Sequence, residues 1–369
     1  MKKIITSLFV WFFVAGSCFV SAQPAFTGLE RLLAVPESYV AGFVSESPVI
    51  DGDIGDTVWE QAAWSGYFRD IEGDRKPQPR YQTRIKMLWS EDALFVAAEL
   101  SEPHIWANLK KHDAIVFHDN DFEVFIDPYN TAHTYFEIEV NAYNTIFDLF
   151  MSKPYRSGSD ALVSWDTPGL KTAVKINGTL NDASDEDQSW TVEMKIPFSA
   201  IRIGYGVHAP QNGTLWRINF SRVEWDVDVV DGKYTKGKDA AGNPLPEYNW
   251  VWSPQGVINM HCPETWGYLL FSDKHPGEEL PAFELPYQEE QRRYLWLVYH
   301  RQKYFAGEHR RYAHDLEELG ITPEQFIIKG KENVLKLTAT DYQFTATIEE
   351  EGKAAVSITE EGLVKVVNQ

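Results

Sequence analysis

Residues 119–141 constrain the fold more than any other stretch. They read D-N-D-F-E-V-F-I-D-P, a short connection, then T-Y-F-E-I-E-V-N. Phe122, Val124 and Ile126 alternate with Glu123, Phe125 and Asp127. In the second run Phe136, Ile138 and Val140 alternate with Tyr135, Glu137, Glu139 and Asn141. A period of two sorts side chains onto the two faces of a strand, whereas a helix would scatter them. The short connection predicts an antiparallel hairpin with Glu123 opposite Glu139 and Phe125 opposite Glu137. Carboxylates directly across such a pair repel by up to ~1 kcal/mol. The repulsion has to be relieved by a calcium ion, a neighbouring Arg or Lys, sugar hydroxyls donating to both acids, or side chains splayed into solvent.

Strand patterns recur over most of the chain. Residues 83–89 place Ile85, Met87 and Trp89 on one face, and 94–100 read as a more buried strand. Further strands fit 170–176, 189–196, 215–223 and 267–271, broken by Gly, Pro, Asn and Asp clusters. This spacing predicts a mainly β fold, an antiparallel, jelly-roll-like β-sandwich over residues 48–273. Residues 23–47 read as a linker or an added strand, and 274–286, rich in Pro and Glu, as a boundary. Beyond it, residues 287–369 read as a small α+β unit. Its helical stripe runs from Tyr294 to Leu319 and is interrupted at Gly307. Three strands follow, at 342–348, 354–358 and 363–367. A protein partner docking through 287–369 is one expectation for this unit.

Residues 1–22 have the pattern of a secretory signal: Lys2 and Lys3, an apolar run from Ile4 to Val14, then Val20-Ser21-Ala22. Cys18 follows Ala-Gly-Ser and only weakly resembles a lipoprotein box, so cleavage and export to periplasm or medium is the expectation over lipid anchoring. The mature region has no second long apolar segment and no transmembrane span is expected. Removing the two lysines of residues 1–22, where no acid stands, takes the formal charge from −20 to −22. That balance argues against nucleic acid and anionic lipid as partners. Cys262 is the one cysteine outside residues 1–22, so no intramolecular disulfide is expected.

Several motifs in order resemble the family 9 carbohydrate-binding modules of exported bacterial proteins, whose sandwich is shared by DOMON-type domains. The first is Val49-Ile50-Asp51-Gly52-Asp53 with Trp59. The 86–100 hairpin ending in Glu102-Pro103 follows, then Asp121–Asp127, Lys171-Thr172-Ala173-Val174 and Trp266-Gly267-Tyr268-Leu269. The resemblance covers residues 48–273 and implies a β-sandwich that binds sugars and often carries structural calcium. It also implies a sugar held between two aromatic side chains with help from a Glu. That Glu matches Glu123, and the first aromatic position falls on Phe117. The second falls near Asn259, where no aromatic stands, and a family arginine is replaced by Glu139.

These readings make Phe117, Glu123, Glu137, Glu139 and Asn141 the expected carbohydrate site. Trp106, Trp165 and Trp252, placed by the pattern in loops or at strand ends, are expected to flank it. Asp51, Asp53 and Asp56, around Gly52 and Gly55, are a candidate calcium loop, or else an Asx-turn. No cofactor is required by the sequence, and calcium is the one implied. The histidines at 104, 112, 118 and 133 fit no zinc spacing, and a lone Met260-His261 cannot grip a haem iron from both faces. The expected function is non-catalytic binding of a polysaccharide or oligosaccharide during its use. Two alternatives stay open. One is a glycoside hydrolase working through paired carboxylates, and the other a scaffold that has lost its sugar site.

Overall fold

The computed structural model describes residues 24–203, 209–321 and 325–367. The expected signal and Cys18 lie outside them. Strands β1 (Ser38–Phe43), β2 (Arg69–Asp70), β3 (Thr83–Trp89), β4 (Ala93–Ser101), β5 (Asp121–Asp127), β6 (Tyr135–Asn141) and β7 (Ile146–Met151) form the first half, with a short helix α1 (Thr57–Glu60). They continue with β8 (Lys171–Asn177), β9 (Ser189–Pro197), β10 (Leu215–Glu224), β11 (Val227–Val230), β12 (Lys233–Lys236), β13 (Tyr248–Val251) and β14 (Gly267–Phe271). One layer runs β7-β6-β5-β10-β14-β1 and the other β1-β3-β4-β9-β8, while β13 joins β10 to β2.

Strand β1 belongs to both layers. Ser38–Ala41 pair in parallel with β14, and Gly42 and Phe43 then pair in parallel with β3. The other pairings among the described residues are antiparallel. Of the two expectations for residues 23–47, the added strand is the one seen: Ser38–Phe43 joins the two layers. At the crossing, a side chain on Gly42 would sit 3.2 Å from the Lys274 carbonyl, so glycine suits the position.

The alternation seen in the sequence sorts as strand geometry requires. Phe122, Val124, Ile126, Phe136, Ile138 and Val140 face Ile85, Met87, Val96, Trp190, Val192 and Met194 across the main core. Burying a large apolar side chain of this kind contributes roughly 1.5–3 kcal/mol, so core-face slippage of the hairpin is heavily disfavoured. The opposite face of β5 and β6 carries the acids, and it too is buried.

The C-terminal region is one long helix, α2 (Tyr287–His309), followed by a five-stranded meander. Its strands are β15 (Gln325–Ile328), β16 (Lys331–Ala339), β17 (Phe344–Glu350), β18 (Val356–Thr359) and β19 (Val364–Val366). Gly307 does not divide the helix, which stops instead where Arg310 turns left-handed at φ 61°. Two strands beyond the three expected precede them, joined through Lys329 and Gly330, both at positive φ. That pair of left-handed residues is a hairpin turn. Leu295, Leu297, Val298 and Tyr299 of α2 form a second core with Phe26, Leu29, Ile348 and Ile358. Glu289 of α2 ties this core to the sandwich, accepting from Asn130, Arg217 and the Tyr268 hydroxyl at 2.8–3.0 Å. No helix among the described residues is long and apolar enough to cross a membrane.

Candidate functional site

The hairpin register agrees with the sequence: Glu123 lies opposite Glu139, and Phe125 opposite Glu137. The same face is extended by Phe147 and Leu149, opposite Glu139 and Glu137 on β7, and by Ser221, opposite Glu123 on β10. Over this face fold the 3-10 turn Val116–His118, the turn Tyr155–Ser157 and the loop 258–262. Together they enclose a pocket of about 440 Å³. Phe117, Glu123, Glu137, Glu139, Tyr155 and His261 line it, with Asn259 and Met260 beside them.

The acids do not splay into solvent. Glu123 is 5% exposed, Glu139 2% and Asp121 0%. Nor does an arginine or lysine pair with them: the ion pairs of the described residues bring Glu137 only His261 Nε2 at 3.8 Å. Burial therefore pushes the Glu123 carboxyl up to about 7, with the charge of Glu247 adding to it and the Ser221 hydroxyl opposing. Burial and the charge of Glu123 push Glu137 up to about 8. Glu139 and Asp121 are driven well above the usual carboxylate range, by burial first and by their acidic neighbours next. Near neutral pH the cluster thus mixes protonated carboxyls, which donate, with ionised ones, which accept. Glu139 also accepts the backbone N–H of Phe117 at 3.1 Å, which fixes the aromatic wall to the acidic floor.

His261 is the link to the opposite wall. Burial, reinforced by the Arg156 charge, lowers its pKa to about 4, so the ring is neutral. Its Nδ1 pairs with the Tyr135 hydroxyl at 2.8 Å, and the Tyr155 ring meets it edge-on at 4.5 Å. Tyr155 is 46% exposed at the rim. An aromatic therefore does stand beside Asn259, supplied by a distant turn. Nothing in the local sequence around Asn259 signals it, because Tyr155 lies far away along the chain and reaches the 258–262 loop by its ring contact with His261 and by the neighbouring guanidinium of Arg156, which donates to the His261 carbonyl. That guanidinium binds Glu264 at 2.7 Å and lies over the rings of Trp296 and Tyr299 of α2.

Four expected site residues are not part of this pocket. Asn141 is wholly buried; its amide donates to Leu109 O and Asp119 Oδ2, and its oxygen accepts from Tyr143 and Thr145. It shapes the strand end, as a saturated amide does. Trp106 packs inside with Val223 and Trp225. Trp252 is core, edge-on to Phe220. Trp165 lies half-buried against Phe136, on the face of β6 turned away from the acids. Aromatic side chains at strand ends are drawn into the sandwich because burial of their large area outweighs exposure.

Of the two expectations for Asp51, Asp53 and Asp56, the geometry is that of Asx-turns. Asp51 accepts from Asp53 N, and Asp53 accepts from Gly55 N and binds Lys175 at 2.7 Å. Asp56 uses its carbonyl to start α1. The centre of this segment is Glu193, which accepts from Asp51 N, Gly52 N and Trp59 Nε1 at 2.7–3.0 Å. The motif around Gly52 thus docks on a buried carboxylate, and its φ of 88° with backbone 2.8 Å from a would-be Cβ admits only glycine.

A curled β-sandwich presenting a pocket of buried carboxyls and rim aromatics defines a ligand-binding module. The profile of the carbohydrate family 9 binding domain-like family matches residues 50–251, and the chain belongs to that family. Endo-1,4-beta-xylanase A of Thermoanaerobacterium saccharolyticum is 25% identical over 179 residues, 48% of this chain. The chain spans only 12% of that enzyme's length. Among solved structures, a proposed carbohydrate-binding protein of Bacteroides uniformis ATCC 8492 is similar at 15% identity and a TM-score of 0.47. It covers 64% of this chain and all of its own. A family 9 module of Caldicellulosiruptor kristjanssonii, in complex with cellotriose, is similar at 18% identity and a TM-score of 0.39, covering 67% of this chain and all of its own.

Proposed function

We propose that this chain is an exported, non-catalytic saccharide-binding protein whose ligand occupies the pocket over β5, β6 and β7. One observation carries the reading. Within a family 9 domain, the fold gathers Phe117, Glu123, Glu137 and Glu139 with Tyr155 around about 440 Å³. That volume lies in the range of small-ligand sites and suits about one or two sugar rings. Pyranose rings offer an apolar C–H face to an aromatic and hydroxyls to acids. Phe117 and Tyr155 supply the first kind of contact, and the Glu cluster the second. Export rests on the signal pattern of residues 1–22.

The test is a glycan-array screen, followed by calorimetric titration of cellotriose and xylotriose. Phe117→Ala and Tyr155→Ala should each weaken the strongest ligand by about twofold to tenfold, matching ~0.5–1.5 kcal/mol for an aromatic contact. Binding that survives both changes together would remove the pocket as the site.

A second reading, glycoside hydrolysis, draws on the raised pKa of Glu137, at about 8, which would keep a proton available at neutral pH. It also requires a second carboxylate across the cleaved bond. Release of reducing ends from a bound oligosaccharide would favour it over binding alone.

A further inference from the structure

Charge balance separates the pocket floor from the rest of the interior. Arg222 binds Glu102 and Glu224 at 2.6 and 2.9 Å, and Arg217 binds Glu289 at 2.9 Å. Buried Asp127 lacks such a partner but accepts three backbone N–H groups. Asp121, Glu123 and Glu139 have no ion pair among the described residues. Asp121 Oδ2 and Glu123 Oε2 are buried without any hydrogen-bond partner. One oxygen from each of the three carboxyls lies within 4.8 Å of the other two.

That spacing is the signature of a shared cation. Oxygens bound to one calcium at 2.3–2.6 Å stand at most about 5 Å apart. All three donors are hard carboxylate oxygens with no His or Cys in the group, which disfavours zinc and copper. They come from two rigid paired strands, so they offer an irregular partial shell that calcium accepts more readily than magnesium does. Glu123 and Glu139 also line the pocket, leaving the outward side of such an ion open to a ligand.

We infer that Asp121, Glu123 and Glu139 form a calcium site at the pocket floor, and that the bound sugar completes the ion's shell with its hydroxyl oxygens. The second half rests on the saccharide reading above; the first does not. A second acidic grouping, His112 with Asp113, Asp148 and Asp166, provides the internal control. It is largely exposed, and His112 Nε2 already pairs with Asp166 at 2.9 Å.

The experiment is calorimetric titration of calcium chloride into the EDTA-stripped, desalted full chain, followed by cellotriose, or the array's strongest glycan, in calcium and in EDTA. The expected result is one calcium per chain, at least tenfold weaker in Glu123→Gln/Glu139→Gln and unchanged in His112→Ala. The double variant keeps the size of both side chains and takes away two crowded acids that have no counter-charge, so in EDTA it should melt no lower than the wild type, which distinguishes loss of the site from loss of the fold. No heat from the wild type with calcium, or undiminished calcium binding by the double variant, overturns the site. Calcium uptake with equal sugar affinity in both buffers overturns the bridging role and leaves the saccharide reading standing. Calcium uptake with no sugar bound in either buffer keeps the ion and removes the saccharide reading.

Discussion

Replacing Arg156 with Met tests how the pocket wall is held. The Glu264 side chain is almost wholly buried, and burial alone would raise its pKa. The Arg156 charge outweighs burial and, with His300 at 3.6 Å, holds the carboxyl at about 2 against an ordinary 4.5. Holding the carboxyl at about 2 rather than 4.5 corresponds to ~3.5 kcal/mol, at ~1.4 kcal/mol for each tenfold in the protonation equilibrium. Leaving a buried charge without its partner costs a similar ~3–5 kcal/mol by an independent route. Arg156 is raised in turn, but the carboxyl is the partner that titrates in an accessible range, so it sets the figure. With His300 retained, the expected loss at pH 7 is about 2–3 kcal/mol. The sign with pH follows from the depressed pKa. This stabilisation is complete above about 4.5 and is lost as pH falls toward 2. Urea unfolding at pH 7 and pH 3 should therefore show a gap between wild type and Arg156→Met that narrows in acid. The gap should not close fully, because the cation–π contact with Trp296 does not titrate. A gap below ~0.5 kcal/mol at pH 7, or one that acid leaves unchanged, would refute the assignment of Arg156 as the clasp between the Tyr155 turn and α2.

Gly267→Ala should cost about 1–3 kcal/mol, read as a lowered melting temperature, because the new Cβ would meet Trp252 Cζ3 at 2.4 Å and the Glu37 carbonyl at 3.0 Å. Trp252→Phe and Trp106→Phe should lower or leave stability but keep glycan affinity within about twofold of wild type; a larger loss in calorimetry would return these rings to the site. Asp53→Asn should leave calcium uptake unaltered, since the structure commits that carboxylate to Lys175 and Gly55. Lost uptake in the same titration would reinstate the N-terminal aspartate loop.

Strand-level features were legible because they depend on local alternation. The 122–126 and 136–140 repeats specify which face is core, and a short connection then sets Glu123 against Glu139. Where the signal was a turn rather than a repeat, it was easier to miss: Lys329-Gly330 joins two strands, and Gly307 in a helix has nothing to clash with, so the helix runs on to Arg310. The N-terminal strand was ambiguous for another reason. A strand that pairs in parallel on both sides has no neighbour in sequence to reveal its partner.

The class of fold and the paired acids were written in the chain itself, because both follow from side-chain period and residue type, while Phe117 was singled out by the family resemblance. That those acids are buried without a counter-charge emerges from the folded chain alone, since the turns that cover them and the arginines that bypass them are far away along the chain. Folding also decided which aromatics serve the pocket. Burial draws Trp106 and Trp252 inward, whereas Arg156, clasped to Glu264 and α2, leaves Tyr155 at the rim.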